Sequence, residues 1–440
     1  METIEAATDA HPFFDIEDTV AGITALRHKS NGLQVLLLPE AAAPVATVMI
    51  TYRVGSRNEA LGHTGATHFL EHMMFKGTER FHKKHGTSIF NTLQRVGAQV
   101  NATTWLDRTN YFELLPSEHL DLALQIEADR MRGVLLDPDD MASERTVILN
   151  EFDRGENEPL QALYHAVWAA AYQAHPYHHP TIGWRSDIET VTPEGLRHFY
   201  DTYYWPNNAT LSVIGQFEVE ATLDAIHKYF GAIPMAPEAW PEVTTQEPLQ
   251  QGERRVTIRR AGQLGSLMIA FKSPDAFSLD TDALDVLTTI LTEGKSSRLY
   301  RSLTAQGKVA ALFGDASRLR DPGLVYVFAM LTPGTTHDEV EQVILGELQR
   351  LATDGPTEAE VARAKNGLKA EEAFGRDGSY QIASQLNEAI AAGDWRLYAK
   401  YRERIDRVTP ADVQRVAATY CIEDARTTGR FIPKVNGYDE

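Results

Sequence analysis

Three residues near the start of the chain have types and a spacing that suit metal chemistry: His68, Glu71 and His72, in the order His-x-x-Glu-His. The run around them, GATHFLEHMMFKG, is compatible with a helix that ends at a glycine, and residues four apart on a helix share one face. Both imidazoles can therefore bind one ion, while Glu71 is placed to take a proton from bound water. Hydrolytic zinc sites usually have three protein ligands and a fourth position for water, so a further ligand is needed.

A pair of carboxylates further along the chain offers that ligand. Glu144 and Glu151, in ASERTVILNEFDRGENE, are seven residues apart and fall on one face of a helix. We expect Glu151 to bind the ion and Glu144 to orient a ligand or Glu71 through hydrogen bonds. Such a site lowers the pKa of bound water toward about 7. A chance match of the motif, at roughly a few per cent, is the alternative to one zinc ion per chain.

Two other groups of histidines are weaker candidates for a metal site. His82 and His85 lie in FHKKHG among lysines and a glycine, as is typical of an exposed loop. His175, His178 and His179 lie in HPYHHP between prolines, which indicates a structural loop rather than a second metal site. A metal role is the less favoured interpretation for both groups.

An internal repeat indicates how the chain is organised. VTPEGLRHFYDTYY at 191–204 and VTPADVQRVAATYC at 408–421 share their first three residues and are offset by 217 positions. Both predict a helix with threonine as N-cap and proline at the first helical position. At the same offset Gly77 corresponds to Gly294. The two halves are therefore predicted to be duplicated units.

Each half carries a mixture of strand and helix patterns. Strand-like apolar stretches lie at 45–54 and 265–273, and helical periodicity is clear at 120–136 and 338–353. We predict an α+β fold of two homologous α/β-sandwich domains. The expected ranges are a zinc-binding domain at 20–233, a proline-rich linker at 234–248 and a homologous domain without metal ligands at 249–440.

The second half keeps the repeat but loses the ligands. At the 217 offset the three candidate ligands and the base correspond to residues that cannot reproduce the site, namely Asp285, Thr288, Thr289 and Leu368. One half is therefore predicted to carry the chemistry and the other to shape a cavity.

The overall composition narrows the classes of partner. A formal charge of -19 would repel a phosphate backbone, so nucleic acid is not an expected partner. No run approaches the roughly 18 consecutive apolar residues of a membrane span, so no membrane partner is expected. The first twenty residues lack the basic start and apolar core of a signal peptide, from which we expect a cytoplasmic protein. The single cysteine, Cys421, excludes an internal disulfide and is interpreted as a small buried apolar residue.

Four stretches resemble the inverted-zincin peptidases of the pitrilysin and insulinase family, in particular the short-chain branch that contains mitochondrial processing peptidase. GHTGATHFLEHMMFKGT at 62–78 is similar to the family's metal helix, and SERTVILNEFDRGENEP at 143–159 to its second carboxylate helix. The blocks at 97–116 and 175–215 are similar to two further family segments. The resemblance covers nearly the whole chain and implies a zinc-dependent metalloendopeptidase.

The resemblance also implies a role for each matching position. It implies that Glu71 is the catalytic base and that Glu144 supports activity without binding the ion. It further implies that an extended peptide substrate pairs with the strand around Asn101, Ala102 and Thr103 by β-augmentation. The zinc ligands that it implies are His68, His72 and Glu151.

The second half departs from the family pattern where active members usually carry an arginine and, seven residues on, a tyrosine. This chain has Thr304 and Ala311 at those positions, which removes donors for a peptide carbonyl or an oxyanion. We therefore hypothesise a heterodimer with a homologous subunit that lacks the metal motif and supplies both groups. Nearby Arg298, Arg301 and Tyr300 are the alternative donors. A non-catalytic structural subunit and a peptide-binding module are the alternative functions.

Overall fold

The computed structural model describes residues 11–434, in which the chain forms two compact units. Unit 1 consists of the described chain up to Asn150, Thr181–Thr244 and Gly375–Ala399. Unit 2 consists of Glu151–Pro180, Thr245–Phe374 and the described chain from Lys400. Two segments lie outside the described residues. They are residues 1–10, half of the stretch from which a cytoplasmic location was expected, and residues 435–440, the end of the predicted second domain.

Unit 1 is built on a seven-stranded sheet. Its strands are β1 (Phe14–Val20), β2 (Ile23–His28), β3 (Gln34–Pro39), β4 (Val45–Tyr52), β5 (Gln99–Thr104), β6 (Thr109–Pro116) and β7 (Ala209–Gly215). They follow the order β1-β2-β3-β7-β4-β6-β5, in which β3 and β7 are parallel and the other neighbours antiparallel. The apolar strand β4, VATVMITY, is almost wholly buried, as expected of a strand covered on both faces.

Unit 2 is built on a five-stranded sheet. Its strands are β8 (Arg254–Ala261), β9 (Ser266–Lys272), β10 (Val309–Ala316), β11 (Leu324–Leu331) and β12 (Arg426–Lys434). Their order is β8-β12-β9-β11-β10, with β8 and β12 parallel and the other neighbours antiparallel. This order and these directions repeat β3-β7-β4-β6-β5 of unit 1, so both units have the same mixed sheet and the predicted α+β two-domain architecture is confirmed.

Helices pack on these sheets in both units. In chain order they are α1 (Ala66–Met73), α2 (Ile89–Arg95), α3 (Leu120–Gly133), α4 (Pro138–Glu156), α5 (Pro159–Ala171), α6 (Arg185–Thr190), α7 (Pro193–Tyr203), α8 (Val219–Phe230), α9 (Leu279–Thr292), α10 (His337–Asp354), α11 (Glu358–Phe374), α12 (Ser379–Ala392), α13 (Arg396–Ala399), α14 (Tyr401–Arg407) and α15 (Pro410–Tyr420). The helix α4 is continuous across the division between the units. No helix of the described chain is both long and apolar enough to cross a membrane.

The compact units do not follow the continuous ranges expected from the sequence, because each half of the chain lends one helix to the other unit. The helix α12 packs on β4 and β7 of unit 1, where Ile382, Leu386 and Ile390 join the apolar core. In unit 2, α5 packs on β8, β9 and β12. A Cβ atom at Gly429 of β12 would come within 2.3 Å of Cγ2 of Val167, so this close packing requires glycine. The predicted ranges 20–233 and 249–440 thus differ from the compact units. As the two copies of a duplicated sequence, these ranges stay a prediction.

The repeated threonine-proline signal forms the predicted helix starts. The Oγ1 atom of Thr192 accepts a hydrogen bond from the backbone N–H of Gly195 at the start of α7, and that of Thr409 accepts one from Asp412 at the start of α15. Proline occupies the first helical position in both cases. This prediction is confirmed because an N-cap depends on residues within one helical turn.

Candidate metal centre

The helix α1 carries the His-x-x-Glu-His motif and is fixed at its start by a close backbone approach. Gly65 precedes the helix with φ 83°, and a Cβ atom there would come within 2.4 Å of the carbonyl oxygen of Ile182. The side chain of Glu59 accepts hydrogen bonds from the backbone N–H groups of Gly65 and Thr67, at 2.8 and 2.7 Å. Burial raises the pKa of Glu59 to about 8 although these bonds lower it. A carboxyl group thus holds the first turn, where N–H groups lack helical partners.

The apolar face of α1 determines which side chains remain for chemistry. Phe69, Leu70 and Met73 are buried, whereas His68 and His72 are only partly covered. Amphipathic packing therefore turns the motif away from the core. The two imidazole rings lie 4.8 Å apart between centroids, as expected for residues one helical turn apart.

The structure brings the three predicted ligands together. One ligand atom each from His68, His72 and Glu151 lies within 4.8 Å of the others, and no other group of three among residues 11–434 meets this condition. Glu151 reaches the histidines because it lies near the end of the continuous helix α4. Burial, reinforced by His72, lowers the pKa of His68 to about 3, which keeps its imidazole neutral. A neutral imidazole has the lone pair that a metal ion requires.

Glu144 lies one step behind the ligands. Its Oε2 atom is 3.0 Å from Nδ1 of His72, so it can hold the tautomer that leaves Nε2 for an ion. The Nζ atom of Lys76 forms an ion pair with the other oxygen of Glu144. Burial raises the pKa of Glu144, but hydrogen bonds from His72 and Lys76 outweigh it and lower the pKa below its ordinary value. Lys76 was not among the predicted site residues, and it lies in the turn that follows α1, four positions after His72.

The predicted base, Glu71, contacts Thr104, which was not among the predicted site residues. The hydroxyl group of Thr104 donates a hydrogen bond to Oε2 of Glu71 over 2.5 Å. Thr104 is the last residue of β5, against which α1 packs. The alternation of side chains along a strand places Thr104 and Ala102 on one face and Asn101 and Thr103 on the other. That alternation is the signal from which Thr104 could have been found.

The predicted substrate strand lies at an edge of the sheet. Asn101, Ala102 and Thr103 belong to β5, which pairs with β6 on one side and has no strand on its other side in the described chain. Nη1 of Arg108 donates to the carbonyl oxygen of Thr103 at 3.0 Å, and Nε of Arg108 bonds to Glu388 at 3.0 Å. The end of this strand is therefore fixed, and an edge strand offers unpaired backbone groups to an extended peptide.

The other histidines have structural contacts. His82 is buried, contrary to the exposed loop expected there, and its Nδ1 accepts the backbone N–H of Lys84 at the start of a short helical turn. In unit 2, Nδ1 of His175 accepts the N–H of Tyr177 and its Nε2 lies 3.0 Å from Asp321. These contacts agree with the structural interpretation of both groups.

The two positions of the second half where the family usually has an arginine and a tyrosine lie in different local structures. Thr304 ends a π-helical turn at Tyr300–Thr304, and Ala311 lies on β10. Arg298, one of the alternative donors, makes two hydrogen bonds with Glu360, at 2.8 and 3.0 Å. Its guanidinium group is thereby committed within unit 2.

The donor set fits zinc. Two imidazoles and one carboxylate on two helices, with a carboxylate behind one imidazole, are typical of hydrolytic zinc sites. The imidazole of His68 is neutral. Glu71 lies between the two histidines in the sequence and is not one of the three ligands. The fold and this site together define a two-domain α+β protein with an inverted-zincin motif.

Comparison with known proteins gives the family. The model described as insulinase (peptidase family M16) matches residues 34–184, and the model described as peptidase M16 inactive domain matches residues 190–368. The chain is 30% identical over 407 residues to the zinc protease PqqE of Helicobacter pylori, with 91% of each chain covered. The chain therefore belongs to the insulinase family, peptidase family M16, as its resemblance to the pitrilysin and insulinase peptidases implied.

Two further comparisons agree with this assignment. The chain is 26% identical over 401 residues to a probable mitochondrial-processing peptidase subunit beta of Arabidopsis thaliana, with 89% of this chain and 75% of the relative covered. The crystal structure of a protease from Helicobacter pylori has a TM-score of 0.89 and 29% identity, over 94% of this chain and all of that one. These two relatives are a peptidase and a protease by name, and they match this chain over 89% and 94% of its length.

Proposed function

We propose that this chain is the zinc-binding subunit of an endopeptidase that hydrolyses peptide bonds in short or unfolded peptides. The observation that carries the proposal is the convergence of His68, His72 and Glu151, with Glu71 between the two histidines on α1. This combination supplies ligands and a base in one place, which the bound water of a hydrolase requires.

The residues of the chain have separate tasks in this reaction. Zinc, when bound to His68, His72 and Glu151, supplies a Lewis acid that makes a water molecule more acidic. Glu71 takes one proton from that water as its oxygen attacks the peptide carbonyl carbon, and returns the proton to the nitrogen when the C–N bond breaks. β5 pairs with the substrate backbone through Asn101, Ala102 and Thr103.

The positioning contacts support this assignment. Glu144, which is paired with Lys76, orients the imidazole ring of His72. The ring therefore has its orientation before zinc binds. The end of β5 is held by Arg108. Both features preorganise the site before a substrate arrives.

We further propose that full activity requires a homologous partner subunit. Thr304 and Ala311 replace the arginine and tyrosine expected in the second half, and Arg298 is held by Glu360. One relative is itself named as a subunit of a processing peptidase. Arg301 and Tyr300 are the remaining alternative donors within the chain.

The test is cleavage of an unstructured peptide by the zinc-loaded chain, with and without a paralogue that lacks the motif. We expect Glu71→Gln to retain zinc and to lower kcat by about 10²–10⁴-fold. Absence of zinc binding, or cleavage that Glu71→Gln leaves intact, would contradict the peptidase proposal. Full activity of the isolated chain would contradict only the partner.

A non-catalytic structural or peptide-binding subunit is the second candidate. The match of residues 190–368 to the model described as peptidase M16 inactive domain favours it for the second half. This candidate predicts peptide binding that is the same in the original chain and in Glu71→Gln, with no turnover in either. Fluorescence anisotropy of a labelled peptide and mass spectrometry of the products separate the two candidates.

A further inference from the structure

The hydrogen bond between Thr104 and Glu71 joins two parts of the proposed site that are distant in sequence. The donor is the hydroxyl group of Thr104 and the acceptor is Oε2 of Glu71, 2.5 Å away. Thr104 ends the strand proposed to bind the substrate backbone, and Glu71 is the proposed base. Both partners of this contact are side chains of the chain itself.

We infer that Thr104 is the positioning residue of the base. This inference rests on the proposed function, because it assigns Thr104 a role for the same Glu71. A glutamate side chain rotates about several bonds, and its final torsion, which turns the carboxylate plane, is broad. A hydrogen bond to one oxygen restricts this rotation and gives the other oxygen, Oε1, a defined direction for taking a proton.

The surroundings of Thr104 make it suitable for this task. Its backbone is held in the ladder between β5 and β6, opposite Thr109. The preceding residue, Thr103, is fixed by Arg108, which is itself bound to Glu388. Because threonine is branched at Cβ, its χ1 angle has few states, so a fixed backbone gives a fixed hydroxyl position.

The alternative is that the hydroxyl group only satisfies a polar atom and stabilises the fold. A structural contact would affect stability and substrate affinity, whereas a positioning contact acts on the chemical step. A hydrogen bond to a charged carboxylate can serve either purpose. The two roles are separated by the division of the effect between kcat and KM.

The test uses Thr104→Val, which keeps the branched shape and removes the donor, and Thr104→Ser, which keeps the donor. The matched control is Thr47→Val, because Thr47 is a buried strand threonine whose Oγ1 lies 2.8 Å from Oγ of Ser379, outside the proposed site. All variants are assayed with zinc in the form that is active, the chain alone or with its partner subunit.

We expect Thr104→Val to lower kcat by about 10- to 100-fold, with KM changed less than about 3-fold, because a misdirected base slows only the chemical step. Thr104→Ser should recover most of kcat, and Thr47→Val should leave it unchanged. Zinc content and thermal midpoint of Thr104→Val should match those of Thr47→Val. In crystal structures of the zinc-free variants, the Glu71 carboxylate should leave its position in Thr104→Val and keep it in Thr104→Ser.

The inference is overturned if Thr104→Val keeps the original kcat, if its loss follows zinc or stability, or if serine gives no recovery. An unchanged Glu71 position in the Thr104→Val crystal structure also overturns it. These failures leave the peptidase proposal intact when the unsubstituted chain cleaves peptides. If that chain binds no zinc or cleaves nothing in any form, the proposed function fails and this inference fails with it.

Discussion

The helices α1 and α9 occupy the same topological position, since each follows the middle strand of the five-strand order that the two sheets share, β4 or β9. They differ in where their polar side chains are engaged. On α1, His68 and His72 converge with a carboxylate of α4, and Glu71 meets β5. The polar groups of α1 are thus arranged around a place for an ion.

On α9 the corresponding polar groups are satisfied within unit 2. The carboxylate of Asp285, at the position of His68, pairs with the guanidinium group of Arg318. The hydroxyl groups of Thr288 and Thr289 donate to the carbonyl oxygen of Asp285 on their own helix. Leu368, at the position of Glu151, packs against the apolar core. One sheet topology thus carries a candidate metal centre in unit 1 and a core element in unit 2, depending on whether the polar atoms converge or pair with their neighbours.

The largest effect is expected at one pair of corresponding positions, His68 of α1 and Asp285 of α9. His68→Ala should reduce zinc from one per chain toward none and abolish peptide cleavage, because three protein ligands are needed for a hydrolytic site. Asp285→Ala should leave zinc stoichiometry unchanged. Metal analysis after dialysis measures both, and zinc loss in Asp285→Ala would break the comparison.

A smaller effect is expected from the groups behind the ligands. Glu144→Gln or Lys76→Met should lower zinc affinity or activity by about 10- to 100-fold, because the ring of His72 loses its oriented partner. The control is Lys83→Met, since Lys83 pairs with Asp140 of the same helix α4, outside the described contacts of the ligands. Competition with a chelator measures affinity. Equal losses in Lys76→Met and Lys83→Met would show a general effect of removing a lysine.

Unit 2 should respond to the same kind of change with a loss of stability. Asp285→Ala leaves Arg318 with Asp282 as its remaining carboxylate partner, and we expect a loss of about 1–3 kcal/mol in the free energy of unfolding. Urea denaturation measures this loss. Asp285→Asn, which keeps the size of the side chain, should lose less, and no loss in either variant would contradict the structural role of the pair.

The smallest effect concerns Lys272 of unit 2, a buried ionisable group outside the proposed chemistry. Its Nζ atom is buried over the ring of Tyr172, 3.1 Å from the centroid, without a hydrogen-bond acceptor in the described chain. Burial lowers the pKa of Lys272 to about 7. Between pH 7 and the ordinary value of 10.5 the unfolded chain holds a proton that the folded chain lacks, so stability rises with pH in this range.

Lys272→Met removes the cost of burying a charged amine and fills a similar space. We expect its thermal midpoint at pH 7 to exceed that of the original chain by roughly 2–4 °C, with the difference shrinking toward pH 10. Scanning calorimetry across this range measures the effect. A difference that stays constant with pH would exclude titration of Lys272 as its cause.

The main features of the architecture could be predicted from the sequence, with one exception. Alternating strands and helices and the repeated threonine-proline signal predicted two similar α+β units. They did not predict the exchange of α5 and α12, because an amphipathic helix records that it covers an apolar face and not which sheet provides that face. The contact of Gly429 with Val167 in unit 2 is an example, because the two residues are distant in sequence.

The sequence by itself determined the pairing of His68 with His72, since residues four apart on a helix must share a face. It also pointed to Glu151, from the carboxylate spacing and the family resemblance. Only the tertiary structure decided that Thr104 meets Glu71 and that Lys76 holds Glu144, the carboxylate behind His72. The physical reason is that spacing along one helix is fixed by local geometry, whereas contacts between a helix and a distant strand depend on how the whole unit packs.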